Sequence, residues 1–253
     1  MRCPDRLSRR VAGALALAGL LALQGCDRGG DLPDLAAVQD VPTMKRTFFA
    51  FLQPIVVAEN DRIRAQREEL RELRETLAAG EQLGWLARRR LRRLAREYEV
   101  PWQPDDPAAV AETLARRIDV IPPDLALAQA AKESGWGRSR FAVEGNNLFG
   151  QWCYEPGCGL VPGQRPAGEQ HEVAAFDSVD EAIRRYMNNL NTHERYRVFR
   201  ERRAALRSGD RPLNGPALLP GLLGYSERGE VYLDELQAMM QQNRELLDDV
   251  ASG

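Results

Sequence analysis

A chain of 253 residues, 43% hydrophobic and 28% charged, has the make-up of a globular protein with one sizeable core, which excludes disordered and collagen-like classes. Its formal net charge of -2 gives no electrostatic basis for nucleic-acid binding, which runs on a basic excess against phosphate.

Residues 1–25 are expected to be a lipoprotein signal peptide. Arg2, Arg6, Arg9 and Arg10 form a basic leader, and Val11 to Leu23 is an uncharged apolar run too short for a comfortable mature membrane span. Leu23-Gln24-Gly25-Cys26 resembles a bacterial lipobox, so cleavage before Cys26 and acylation of its thiol are expected. The mature protein would then sit in the bacterial cell envelope, lipid-anchored to a membrane and facing the periplasm. A plain secretory signal followed by an unrelated cysteine is the alternative. Loss of four arginines and Asp5 with the signal moves the formal charge from -2 to -5.

Residues 26–42, rich in Gly, Asp and Pro, are expected to be a tether, and residues 43–118 a helical N-terminal segment. Thr47 to Val57 is apolar and aromatic but interrupted by Pro54, which suits core or docking surface better than a membrane span. Asp61 to Ala79 has a helical stripe of Ile63, Leu70, Leu73 and Leu77, with Arg64/Glu68 and Arg71/Glu75 at i,i+4 on the polar face and Gly80 as its stop. Leu83, Leu86, Leu91, Leu94 and Tyr98 mark a further helix, whose other face carries Arg88, Arg89, Arg90, Arg92, Arg93 and Arg96. That face fits either a solvated surface or a patch for anionic lipid headgroups or wall polymers. Asp106-Pro107 starts another helix, with the aspartate as its cap and proline at the first helical position.

The main domain is placed at residues 119–253. After Pro122-Pro123, Leu125 to Lys132 is a largely buried helix, with Gly135 positioned to end it. Residues 146–150 form a loop, and residues 152–176 mix Gly, Pro and short β-prone pieces that suggest a hairpin. Ser178 and Glu181 make a capping box, and Val179, Ile183, Tyr186, Met187 and Leu190 point inward along the helix they open. Helices near 198–206 and 231–250 complete a mainly α fold.

Glu133 stands out chemically. A carboxyl at the end of an apolar helix is pushed up in pKa by desolvation and by the partial negative charge of the helix C-terminus. A glutamic acid still protonated near neutrality is what glycosidic cleavage requires, because the leaving oxygen needs a proton. From position alone, a solvent-facing glutamate at a helix end is the better reading. With Cys3 and Cys26 set aside, Cys153 and Cys158 remain, most simply as a disulfide in an oxidising compartment. Zinc bound by Cys153, Cys158, His171 and His193 is the rival, although the spacing between the histidines fits poorly. Neither HExxH nor GxSxG is present to give those histidines a catalytic role.

Ala128-Gln129-Ala130-Ala131-Lys132-Glu133-Ser134-Gly135-Trp136-Gly137, followed by Asn147-Leu148-Phe149-Gly150, resembles the glucosaminidase domain of the family 73 glycoside hydrolases. Trp152-Cys153-Tyr154, Gly157 to Pro162, His171-Glu172-Val173, Phe176 to Val179 and Asn189 to His193 resemble its Bax subfamily, so that the likeness covers about residues 119–247. The resemblance implies a lysozyme-like helical domain with a small β-hairpin lobe, cleaving peptidoglycan strands after N-acetylglucosamine without a cofactor or metal. It makes Glu133 the general acid and Glu172, in the hairpin, the candidate second carboxylate, with Glu169 nearby as a weaker choice. Trp136, Asn146, Asn147, Phe149 and Trp152 become candidates for substrate binding, Trp136 being the most core-like of them. Tyr225 opens a tyrosine-containing stretch that ends at Tyr232 and is the better candidate of the two for a functional hydroxyl. A lytic transglycosylase, needing one acid and no hydrolytic water, is one alternative, and a wall-binding lipoprotein without activity is another.

Overall fold

The computed structural model describes residues 30–251 except 164, 166 and 167. The expected signal peptide, Cys26 and residues 27–29 lie outside the described residues. The protein is mainly α-helical with a small three-stranded antiparallel sheet.

Helix α1 runs from Val41–Ala78, 38 residues and about 57 Å long. Asp40 caps its start by accepting from the Thr43 N–H at 2.8 Å. Pro54 lies inside this helix rather than dividing it, which corrects the interruption expected there. A proline within a helix costs about 3 kcal/mol. Around it Phe48, Phe49, Leu52, Ile55 and Val56 are all buried, each contributing about 1.5–3 kcal/mol, so packing keeps the helix intact.

The helices that follow are α2 (Trp85–Glu97), α3 (Pro107–Arg117), α4 (Pro123–Ser134) and α5 (Arg140–Gly145). α1 packs along α2, α3 and α4, and its apolar residues share one continuous core with those of α4 and of the later helices. Between α3 and α4 the chain is pinned. Asn60 exchanges two hydrogen bonds with the backbone of Ile121, at 2.8 and 3.0 Å. Buried Asp119 accepts two hydrogen bonds of 2.5 Å from Arg207, and its carbonyl accepts from Arg203. Ahead of α1, Leu35 is buried against Gly137.

The sheet comprises β1 (Trp152–Cys153), β2 (Gly159–Leu160) and β3 (Glu172–Ala174), in the order β1-β3-β2. Trp152 pairs with Val173 and Cys153 with Glu172 on one side of β3, and Gly159 pairs with Ala174 on the other. Position 159 has to be glycine, because a Cβ there would lie 2.0 Å from the Val173 carbonyl oxygen. Cys153 and Cys158 form a disulfide across the first turn.

Past the sheet come α6 (Val179–Thr192), α7 (Arg197–Ser208), the short α8 (Gly215–Leu218), α9 (Glu230–Gln242) and α10 (Arg244–Ala251). α9 and α10 return the chain to α4 and α1. Among the described residues no helix is long and apolar enough to cross a membrane.

Candidate active site

α4 carries a nearly unbroken apolar run, Leu125 to Ala131, and every one of those residues is buried. Gly135, in the left-handed conformation at φ 57°, ends the helix. Trp136 and Gly137 are left-handed as well, at φ 62° and 73°, so the chain turns sharply directly after Glu133. The left-handed backbone at Gly137 favours glycine, and a Cβ there would also meet the Leu35 side chain at 2.9 Å.

Glu133 is thereby left half-buried at the end of α4. Burial pushes its carboxyl above the ordinary glutamate range, opposed by a hydrogen bond from Tyr232 and by the charges of Lys132 and Arg228. Both cations are engaged by Glu235, whose own carboxyl they hold down at about 2. With those charges largely answered elsewhere, desolvation prevails at Glu133.

The wall around Glu133 is aromatic and hydroxylated. Tyr186 on α6 donates its hydroxyl to Gln129 Oε1 at 2.6 Å, and Gln129 Nε2 donates to the Tyr232 hydroxyl at 2.9 Å. Tyr232 completes the chain by bonding Glu133. Phe149 is buried and stacks on Tyr186 with ring centroids 3.8 Å apart, and Tyr225 stacks on Tyr232 at 5.4 Å. Tyr196 sits 5.9 Å from Tyr225. The phenols of Tyr186, Tyr196, Tyr225 and Tyr232 are all raised by burial first and by the charge of Glu133 in addition. They remain protonated donors at any working pH.

Of the residues singled out in the sequence, Phe149 and Tyr225 stand in this wall, while Tyr232, the second tyrosine of its stretch, is the one bonded to Glu133. The Tyr225 hydroxyl reaches the Phe149 carbonyl at 3.5 Å. Trp136 faces away: its ring packs on Phe48 and Phe49 with Lys45 Nζ 4.8 Å above it, so it secures α1. Asn147 is buried and holds backbone on both sides of the loop. Its Nδ2 donates to the carbonyls of Gln151 and Ala174, and its Oδ1 accepts from Phe149 and Gln151 N–H. Asn146 donates to the Phe176 carbonyl at 2.9 Å. Both asparagines hold the loop in shape.

Gln129 and Tyr186 were legible only as buried helix residues. Gln129 lies one turn before Glu133 on an otherwise apolar helix, and that i,i+4 polar pair is the signal that could have found it.

The hairpin lobe carries the second carboxylate. Glu172 is buried, and its two oxygens accept from the backbone N–H groups of Gly157 at 3.1 Å and Gly159 at 2.8 Å. Those bonds hold its carboxyl below the ordinary range. On the outer surface Trp152 is 57% exposed and stacks on His171 at 4.1 Å, and His171 Nδ1 lies 2.7 Å from Glu169. Cys153, Cys158 and Glu172 cluster within 4.8 Å, but the two thiols are bonded to each other and cannot serve as the thiolates a zinc set requires.

A model of the glucosaminidase family, described as mannosyl-glycoprotein endo-beta-N-acetylglucosaminidase, matches residues 108–245, a span that takes in the whole aromatic wall and the hairpin lobe. The chain is also similar to the protein bax of Escherichia coli (strain K12), at 35% identity over 222 residues that cover 87% of this chain and 77% of that protein. No solved structure matches it.

Proposed function

Since this chain belongs to the glucosaminidase family, in its Bax-like branch, we propose that it is a peptidoglycan endo-β-N-acetylglucosaminidase with Glu133 as its general acid. The observation that carries this is the placing of Glu133 at the end of buried α4 within a wall of tyrosines, its carboxyl raised by burial, while Glu172 on the hairpin is held down by two backbone donors. A raised and a lowered carboxyl suit the two roles of proton donor and permanent anion. Glu133 gives its proton to the glycosidic oxygen as the bond to it breaks. Glu172 stays ionised and stabilises the positive charge that develops on the sugar ring, or directs the water that ends the reaction. Trp152 offers an exposed ring on which a pyranose can stack.

Export by the leader and acylation of Cys26 would bring this activity to the glycan side of a membrane, and residues 26–34, ahead of the buried Leu35, would connect the lipid to the folded body. A lytic transglycosylase is a second reading with an observation of its own. Both oxygens of Glu172 are already engaged, which leaves Glu133 as the carboxyl free to act.

Purified peptidoglycan digested with the mature chain and with its Glu133→Gln variant, then reduced with borohydride and analysed by mass spectrometry, tests the proposal. Reduced N-acetylglucosamine ends from the parent alone support it. Anhydro-muramic ends would move the assignment to the transglycosylase, and intact strands from both proteins would leave a wall-binding role.

A further inference from the structure

α2 carries a charge pattern unlike that of α1, on which it packs. On α1, Arg64 lies 2.5 Å from Asp61, and Arg71 bridges Glu68 and Glu75. On α2, among the described residues, Arg93 is paired with Glu69 and Glu97, while Arg88, Arg89, Arg90, Arg92 and Arg96 have no ion pair. Five guanidinium groups are thus uncompensated on one short helix of an acidic protein.

Two large apolar side chains project beside them. Trp85 is 71% exposed and Leu86 62% exposed at the start of the helix, and the Arg89 guanidinium lies 5.7 Å from the Trp85 ring. An open groove of about 760 Å³ follows, lined by Leu86, Arg89, Arg92, Arg96 and Trp102 among others. The opposite face of α2 is fixed, with Leu91, Leu94 and Ala95 buried. The helix is a rigid mount, and none of its residues belongs to the aromatic wall around Glu133.

We propose that this face of α2 docks the protein on a membrane rich in anionic phospholipid. Planar guanidinium groups take phosphate oxygens in pairs, and tryptophan and leucine beside them suit the boundary between headgroups and acyl chains. A soluble polyanion would satisfy the arginines but gives no reason for Trp85 and Leu86 to protrude. The docking is independent of any lipid at Cys26.

The test uses the mature chain from residue 26 carrying Cys26→Ser, so that no lipid of its own contributes. Every buried side chain described lies between Leu35 and Leu247, so this chain retains its whole core. It is sedimented with vesicles of phosphatidylcholine, with and without phosphatidylglycerol. Binding is expected only where phosphatidylglycerol is present. Arg89→Gln/Arg92→Gln/Arg96→Gln lowers the partition coefficient about 100-fold, at roughly 1 kcal/mol for each arginine near an anionic surface. Lysine at the same three positions restores most of the binding. Trp85→Ser/Leu86→Ser keeps the binding at low salt and loses the part that survives high salt. All variants keep the parent melting temperature and digest peptidoglycan as the parent does. Equal partitioning on neutral and anionic vesicles, or a triple glutamine variant that binds like the parent, overturns the proposal. So does binding to a soluble glycerol-phosphate polymer with none to the vesicles, which would make the occupant a wall polymer.

Discussion

The hydroxyl of Tyr232 is hydrogen-bonded to the carboxyl of Glu133, while Gln129 Nε2 donates to that same hydroxyl at 2.9 Å. Gln129 is held in turn by Tyr186, so the orientation of Glu133 is set by a line of groups reaching across to α6. Tyr232→Phe removes the donor that favours the ionised carboxyl. The alkaline limb of the pH–rate profile should move to higher pH, and kcat should fall about 10-fold, the value of one such hydrogen bond, with KM near that of the parent. A profile superimposing on the parent's would exclude Tyr232 from the tuning of Glu133.

Burial raises the Glu133 carboxyl, and this sets a direction for both activity and stability. The folded protein keeps a proton that the unfolded chain releases at the ordinary glutamate pKa. The contribution of Glu133 to stability is therefore fully present below that pKa and is lost as pH rises through the raised folded value. Glu133→Gln should melt about 2–4 °C higher than the parent near neutral pH, for a gain of about 1 kcal/mol. The difference should close below about pH 4. Cleavage by the parent should decline over the same alkaline range, and by about 10²–10⁴-fold at all pH values in the variant. Calorimetry and rate measurements at matched pH check both.

Glu172 and the disulfide should act as one unit. The bridged loop presents the N–H groups of Gly157 and Gly159 to the Glu172 carboxylate, and a closed loop this short stabilises by about 2 kcal/mol through lost chain entropy. Cys153→Ser/Cys158→Ser is expected to lower kcat about 10-fold and the melting temperature by about 4–8 °C. Glu172→Gln is expected to lower kcat at least 100-fold. Combined, they should cost little more than Glu172→Gln alone. Near-parent cleavage by Glu172→Gln would limit the carboxylate to holding the loop.

Variants at Trp152 should separate binding from chemistry. Its ring is exposed and already backed by His171, so truncation leaves no cavity. Trp152→Ala should raise KM for glycan strands up to about 10-fold, the upper range for an aromatic contact, with kcat and melting temperature unchanged. Trp136→Ala, which unpacks Phe48 and Phe49, should do the reverse and destabilise by about 3 kcal/mol or more. Melting curves and Michaelis plots of the two variants distinguish them.

What the sequence made legible is local. Asp106 caps α3 by accepting from Ala109 at 2.9 Å, Ser178 caps α6 by accepting from Glu181 at 3.2 Å, and Gly135 takes the left-handed position at the end of α4. Each depends on residues within one turn. What escaped depends on distant partners. α1 continues through Pro54 because later helices bury its neighbours, and no periodicity within residues 47–57 contains that information. The choice of Tyr232 over Tyr225 follows from how α9 lies against α4, and Gln129 meets Tyr186 across 57 positions of sequence. Charge is similar: the arginines of α2 were visible, but their lack of carboxylate partners became apparent only once α1 and α2 were side by side.

Asn147 bears on how a glycan can enter. Its amide is bonded to Gln151 and Ala174, while Gln151 also reaches the Ala182 carbonyl on α6 and Asn146 holds Phe176. The base of the hairpin is therefore riveted to the helical body at both its incoming and outgoing strands. A flap swinging from that base would have to break several hydrogen bonds together, one buried and the others part-buried, at about 1–3 kcal/mol for each group left buried and unpaired. Any opening for a polymer would therefore have to leave this base in place. A glycan strand would then meet a lobe whose footing is already set, with no hinge at its root.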